Sequence, residues 1–223
     1  MNYIQSSIIA IATVITLSHS VFANEVEGTL NDTSYQLCFT PSNGQCTKLI
    51  VNEINNAKKS INIQAYSFTS QPIVVALIDA SKRGVTVTPV LDKIDAGNKY
   101  NVSHALTNAN IPVWIDYQPK IAHNKVMIID DKTVITGSFN WTKSADYRNA
   151  ENVLIIHNVT LANQYNQNFK KRKEAAVILP KYCELSGKCT SWWDQVKSTS
   201  NSIYSNLSQA AQDGSEKVKD LFN

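Results

Sequence analysis

Hydrophobic positions along the first half of the chain change repeatedly between a helical and a strand period. Apolar residues recur at three-to-four spacing over 46–60, which predicts a helix, and at every second position over 61–68, which predicts a strand. Pro72 suits the first turn of a second helix, and Gly84 suits its end. The apolar run 85–91 then predicts a second strand.

The second half of the chain continues this alternation. Its patterns predict a helix over 99–110, a strand over 111–115, a hairpin of strands 125–130 and 133–136, a strand over 152–157 and a helix over 161–176. Helices that alternate with strands place a sheet between two helical layers. The predicted fold is therefore α/β, with a mixed sheet flanked by helices on both faces.

The first 23 residues have a different pattern. The apolar run 8–17 is shorter than the roughly 20 residues that a membrane span needs. Val21 and Ala23 supply small residues before Asn24, which predicts a cleaved secretory signal peptide; an uncleaved anchor is the alternative. A glycan on the triplet that begins at Asn140 would obstruct the motif described below. The expected location is therefore the periplasm or exterior of a bacterium.

Composition and charge limit the remaining classes. The 223 residues are 43% hydrophobic and 17% charged, which excludes a disordered chain, and the net charge of +3 is compatible with a polyanionic partner. We expect one domain over 24–180 and a cysteine-containing extension over 181–223. Within this extension, apolar residues of 190–223 recur at helical spacing. This segment is predicted to be an appended amphipathic helix that docks on the domain or frays; contact with a membrane surface or a partner is the alternative.

The four cysteines fall into two close pairs. Cys38 and Cys46 lie eight residues apart, and Cys183 and Cys189 lie six apart. In an oxidising compartment, these spacings predict two local disulfides. A zinc site is the alternative, although the spacings fit its usual ligand pattern poorly.

The candidate chemistry lies between His123 and Glu151. The segment from His123 to Asp130 reads H-x-K-x₄-D, and Gly137-Ser138-Phe139-Asn140 follows. Side chains at even separations share a face of a strand, so His123 faces the same way as Lys125, and Ser138 the same way as Asn140. Asp130 falls on the opposite face, which predicts a structural role.

These residue types suit an attack on a phosphodiester without a metal. A histidine supplies a nucleophile or an acid–base group, a lysine supplies a cation, and serine and asparagine supply neutral hydrogen-bond donors for phosphate oxygens. Magnesium and calcium prefer clustered carboxylates, which the motif lacks. The sequence therefore predicts no metal ion and no cofactor.

The motif resembles the signature of the phospholipase D superfamily, and the chain looks most like its small secreted bacterial nucleases. Seven residues of this signature are present: His123, Lys125, Asp130, Gly137, Ser138, Asn140 and Glu151. The resemblance implies that His123 is the covalent nucleophile and that Glu151 orients it. It further implies that Lys125, Ser138 and Asn140 hold the phosphate, and that Asp130 and Gly137 are structural.

A single motif has consequences for assembly. The superfamily reaction uses two histidines, yet His104 and His157 lie outside any H-x-K pattern and are expected to be bystanders. The resemblance therefore implies a homodimer whose two motifs meet at a two-fold axis.

The expected function is metal-independent endonucleolytic cleavage of nucleic acid by a secreted homodimer, and the sequence leaves the choice between DNA and RNA open. Two alternatives remain: a phospholipase D-type lipid phosphodiesterase, and a non-cutting DNA-binding accessory of a conjugation or secretion system. The basic run 170–173 suits a solvated helix end or a nucleic-acid rim. Trp141 and Tyr147 suit core packing or base stacking.

Overall fold

The computed structural model describes residues 31, 33–96, 102–187 and 189, and the fold is built around one eight-stranded sheet. The strands are β1 (Ser34–Phe39), β2 (Ser60–Ala65), β3 (Thr86–Asp92), β4 (Trp114–Asp116), β5 (Lys125–Ile129), β6 (Thr133–Gly137), β7 (Asn152–His157) and β8 (Val177–Ile178). The helices are α1 (Gln45–Asn56), α2 (Gln71–Lys82), α3 (Val102–Asn108), α4 (Lys143–Tyr147), α5 (Val159–Ala175) and α6 (Leu179–Ser186).

The sheet is mixed, with strand order β1-β7-β6-β5-β2-β3-β4-β8. β2, β3 and β4 are parallel, because helices connect them, whereas β5, β6 and β7 pair antiparallel. Alternate strand residues enter two separate cores. One core packs β-strand residues such as Ile63 and Met127 against α1, α2 and α3; the other packs residues such as Val126 and Val134 against α5. The predicted α/β fold with helices on both faces is confirmed.

The two predicted disulfides are present. Cys38 of β1 is bonded to Cys46 of α1, and Cys183 of α6 is bonded to Cys189, with Cα–Cα separations of 5.6 and 5.0 Å. All four cysteines are therefore used, which excludes the zinc alternative. The first bridge ties the edge strand β1 to a helix of the main core.

The last helix of the described chain, α6, packs against the main core. Helix α6 crosses the boundary expected after residue 180, and Leu179, Tyr182 and Cys183 are buried in the main core. The predicted signal peptide (1–23) and the predicted amphipathic helix (190–223) lie outside the described residues. Among the helices of 31–189 that the structure describes, none has the length and hydropathy of a membrane span.

Candidate active site

An open cleft of about 510 Å³ lies where three inner strands of the sheet begin or end. The start of β5, the end of β6 and the residue before β7 meet there, because β5 and β7 both run antiparallel to β6. The cleft is lined by His123, Asn124, Lys125, Val126, Thr136, Gly137, Ser138, Asn140, Glu151 and Tyr165. Five residues predicted to be catalytic or phosphate-binding are thus brought to a single surface.

His123 and Lys125 are fixed to each other through the main chain. His123 is exposed, and its carbonyl oxygen accepts a hydrogen bond of 2.9 Å from the Lys125 ammonium. Lys125 itself is only 7% exposed, because it begins β5 in the interior of the sheet, opposite Ala65 of β2. The Lys125 ammonium is thus held in a fixed position at the cleft by burial of its side chain and by its hydrogen bond to His123.

The electrostatics of Lys125 reflect this burial. Desolvation lowers the pKa of the ammonium below its ordinary value, and the nearby carboxylate of Glu151 opposes part of that shift. An anionic phosphate in the cleft would favour the charged form in the same way as Glu151 does. The site is therefore suited to bind a phosphodiester anion with its lysine protonated.

Ser138 is positioned by an unusually close approach of two strands. Gly137 has φ +147°, and a Cβ at this position would overlap the main chain of Asn152. Because the strands come this close, the backbone N–H and the side-chain amide of Asn152 both donate to Ser138 Oγ, at 3.2 and 3.3 Å. The Ser138 hydroxyl thus accepts two hydrogen bonds and keeps its own proton for a ligand.

Asn140 and Glu151 complete the polar lining of the cleft. Asn140 lines the cleft, and its side-chain oxygen is buried without a hydrogen-bond partner among the described residues. Glu151 accepts a hydrogen bond of 3.0 Å from Asn149. Within the described part of one chain, the imidazole of His123 has no hydrogen bond. The predicted orientation of His123 by Glu151 therefore requires a contact that forms with substrate or in an assembly.

Asp130 lies at the opposite end of β5 from the cleft. Its carboxylate accepts hydrogen bonds from the backbone N–H groups of Lys58, Lys59 and Ser60, at 2.8, 2.7 and 3.0 Å. Burial raises the pKa of this carboxyl, but the three hydrogen bonds and the charge of Lys132 outweigh that effect and hold the pKa below its ordinary value. Asp130 therefore lies outside the cleft and holds the segment 58–60 to the end of β5.

The other two histidines of the described chain are outside the cleft. His157 ends β7 at the far edge of the sheet, where its ring contacts Thr133 Oγ1 at 2.9 Å and Glu53 at 3.6 Å. His104 lies in α3, where burial lowers its pKa. Neither residue lines the cleft.

Trp141, Tyr147 and the basic run 170–173 do not line the cleft. Trp141 is 1% exposed and packs edge-to-face on Phe139, so core packing accounts for it. Tyr147 is 46% exposed but does not line the cleft. In the basic run, Arg172 forms a bidentate ion pair with Asp116, and Lys173 lies 4.3 Å from the Trp114 ring centroid.

Several residues that line or support the cleft belong to no sequence motif. Asn124 and Tyr165 line it, and Asn124 donates to Gln64 at 3.3 Å. Asp92, at the end of β3, accepts a hydrogen bond of 2.6 Å from the backbone N–H of Ala122, which holds the segment leading into His123. These contacts depend on strand register, which local patterns do not specify.

The described residues contain no group of three or more histidine, cysteine, aspartate or glutamate side chains arranged to hold a metal ion. The residues that line the cleft supply an imidazole, an ammonium, a carboxylate and neutral hydrogen-bonding groups.

The chain is similar to proteins that act on phosphodiesters. Residues 50–173 match the family described as "Cardiolipin synthase, PLD-like domain". The Phospholipase D of Rickettsia bellii is 49% identical over 65% of this chain and 71% of its own length. The mitochondrial cardiolipin hydrolase of Xenopus laevis is 25% identical over 66% of this chain and 70% of its own length.

Two solved structures resemble the fold over nearly their whole length. Nuc, a phospholipase D family member from Salmonella typhimurium, has a TM-score of 0.62 and 36% identity, covering 66% of this chain and 98% of its own. NucT from Helicobacter pylori has a TM-score of 0.61 and 28% identity, covering 66% and 99%. The chain therefore belongs to the phospholipase D superfamily and is a phosphodiesterase, a hydrolase that acts on ester bonds.

Proposed function

We propose that this protein is a secreted or periplasmic, metal-independent endonuclease that acts as a homodimer. The polar residues that line the cleft support nucleic acid as the substrate. Among its lining residues, Val126 and Tyr165 supply the only large apolar side chains. A nucleic-acid backbone presents phosphates flanked by polar sugars, which suits the hydrogen-bonding side chains of this lining.

The proposed reaction has two steps. His123 attacks phosphorus, a P–N bond forms, and the P–O bond to the leaving group breaks while a second histidine protonates the departing oxygen. Water then attacks the phosphohistidine, the second histidine takes a proton from that water, and the P–N bond breaks. Lys125, Ser138 and Asn140 stabilise the additional negative charge of the transition state.

The need for a second histidine supports the homodimer. Neither His104 nor His157 lines the cleft of the described chain, so the second histidine is proposed to be the partner subunit's His123. The exposed hydrophobic face of β1 offers a contact surface for such a partner. Tyr35, Leu37 and Phe39, here named the β1 stripe, are 64%, 50% and 68% exposed. This stripe leads to the cleft, because Phe39 pairs with Asn152, which holds Ser138.

The two disulfides support an oxidising compartment, as the proposed export requires. Export through the predicted signal peptide would place the enzyme in the periplasm or outside the cell.

A lipid phosphodiesterase is the second candidate. The names of the Rickettsia relatives, which are about half identical over the matched region, favour it. A non-cutting DNA-binding accessory is the third, and the complete set of His123, Lys125 and Asn140 in one cleft argues against it.

The three candidates are separated by one substrate panel in EDTA. Purified mature protein is incubated with DNA, RNA and phosphatidylcholine vesicles, with His123→Asn as the matched control. We expect internal cleavage of nucleic acid by the wild type and none by His123→Asn. Hydrolysis of phosphatidylcholine alone would establish the lipid enzyme, DNA retention without cleavage would establish the accessory, and a requirement for magnesium would contradict the proposed chemistry.

A further inference from the structure

Tyr66 contacts both reactive side chains of the motif. It directly follows Ala65, the last residue of β2, and Ala65 pairs with Lys125 in the sheet. This register places the Tyr66 ring 4.5 Å from the His123 ring, centroid to centroid, with a 55° angle between the planes. The Lys125 ammonium lies 5.1 Å from the centroid of the same ring.

The His123 imidazole has few other restraints. It is exposed, and in the described part of the chain its nitrogens have no hydrogen bond. The main chain of His123 is held by Lys125, but that hydrogen bond leaves the side-chain torsions free. The ring contact with Tyr66 therefore restricts the direction in which the imidazole points, and a nucleophile requires a defined direction for in-line attack.

The same ring also affects charge. The face of an aromatic ring carries partial negative charge and attracts cations within about 6 Å. Lys125 is protonated when it holds a phosphate. The Tyr66 ring would favour this charged form of Lys125 and would resist the loss of its proton as the pH rises.

We propose that Tyr66 is a positioning residue that orients the His123 imidazole and stabilises the positive charge of the Lys125 ammonium through its ring. This proposal rests on the nucleophilic role given to His123 above. The ring, rather than the phenolic hydroxyl, carries the function, because the contacts with His123 and Lys125 are contacts with the ring.

The test uses steady-state hydrolysis of bis(p-nitrophenyl) phosphate in EDTA by the full chain, so that the identity of the natural substrate does not enter. We expect Tyr66→Leu to lower kcat by about 10- to 100-fold while KM changes much less, since misplacement of a nucleophile by about 1 Å costs up to about 100-fold. We also expect the alkaline limb of its pH–rate profile to move to lower pH. Tyr66→Phe keeps the ring and should retain nearly wild-type kcat and an unchanged profile.

Tyr147→Leu is the matched control, because Tyr147 is an exposed tyrosine outside the cleft. It should leave kcat and the pH profile unchanged. If thermal melting shows that Tyr66→Leu does not fold, Tyr66→Met, which keeps most of the side-chain volume without a ring, replaces it. Wild-type kcat in the variant without a ring, or an equal defect in Tyr66→Phe, would overturn the proposal. Full activity of His123→Asn in the same assay would instead overturn the proposed nucleophile.

Discussion

Gly137 lies so close to the main chain of Asn152 that any larger residue would overlap the Asn152 carbonyl oxygen. This approach brings Asn152 within hydrogen-bond distance of Ser138 and aligns one wall of the cleft. The glycine of the motif is thus explained by packing between the ends of β6 and β7.

Gly137→Ala should therefore destabilise the protein and reduce activity. We expect a loss of about 1–3 kcal/mol in the free energy of unfolding, from backbone strain and overlap together, and a fall in kcat because Ser138 is displaced. Denaturant unfolding and steady-state kinetics measure the two effects. Gly84→Ala is the control, since Gly84 also has a positive φ, +89°, but open space around it. Equal effects of the two substitutions would show that the overlap is unimportant.

The pH dependence of activity should reflect the buried position of Lys125. Burial lowers the pKa of this lysine, so activity that requires its charge should fall at a pH below the ordinary lysine range. Glu151 raises the same pKa through its charge. Glu151→Gln should therefore move the alkaline limb to lower pH, in addition to any effect on kcat. The measurement is the pH–rate profile of each variant. An alkaline limb that does not move in Glu151→Gln would show that the Glu151 charge does not raise the pKa of Lys125.

Asp130 should contribute to stability and not to catalysis. Its pKa is lowered in the folded state, so its stabilisation is present above the pKa of the unfolded chain, about 4, and is lost as the pH falls through the lower folded value. Asp130→Asn should cost about 1–2 kcal/mol at pH 7, and this difference should shrink in acid. Urea unfolding between pH 7 and 2 measures it. Asparagine also tolerates the left-handed backbone at this position, φ +55°, so a difference that is independent of pH would contradict the assignment to charge.

The sequence was sufficient to predict the elements with strong internal periodicity. β7 begins and ends at the predicted residues, and α2 and β5 differ from prediction by at most two residues at each end. The H-x-K and G-S-x-N segments reach one cleft because they begin β5 and follow β6, which form a hairpin. In this part of the chain, residues close in sequence are also close in space, so the sequence motif alone predicts the site.

Other elements depend on contacts distant in sequence. β1 was not predicted, because its pairing with β7 joins residues more than 110 positions apart and its hydrophobic side chains are exposed. β8 has two residues and exists through its pairing with β4. Tyr66 was not predicted as a site residue, since only the register of β2 against β5 brings it to His123.

The proposed dimer should depend on the β1 stripe. Leu37→Glu introduces a charge into this exposed apolar surface and should convert the dimer to a monomer with greatly reduced activity, because the second histidine is then lost. Sedimentation velocity and kinetics on the same preparation test both parts. Val75→Glu, which changes a valine that is 55% exposed on α2, is the control and should remain dimeric and active. An active Leu37→Glu dimer would place the subunit interface elsewhere.

Rapid quenching can trap the proposed covalent intermediate between His123 and nucleic acid. Excess enzyme is mixed in EDTA with an oligonucleotide labelled at both ends, because only one of the two fragments stays on the histidine. The reaction is quenched in alkali because phosphohistidine is labile to acid, and it is analysed by denaturing electrophoresis and peptide mass spectrometry. We predict that label becomes bound to protein at His123, decays as hydrolysed product appears, and is absent from His123→Asn. Single-turnover cleavage without protein-bound label at any time, or with label on another residue, would rule out His123 as the covalent nucleophile.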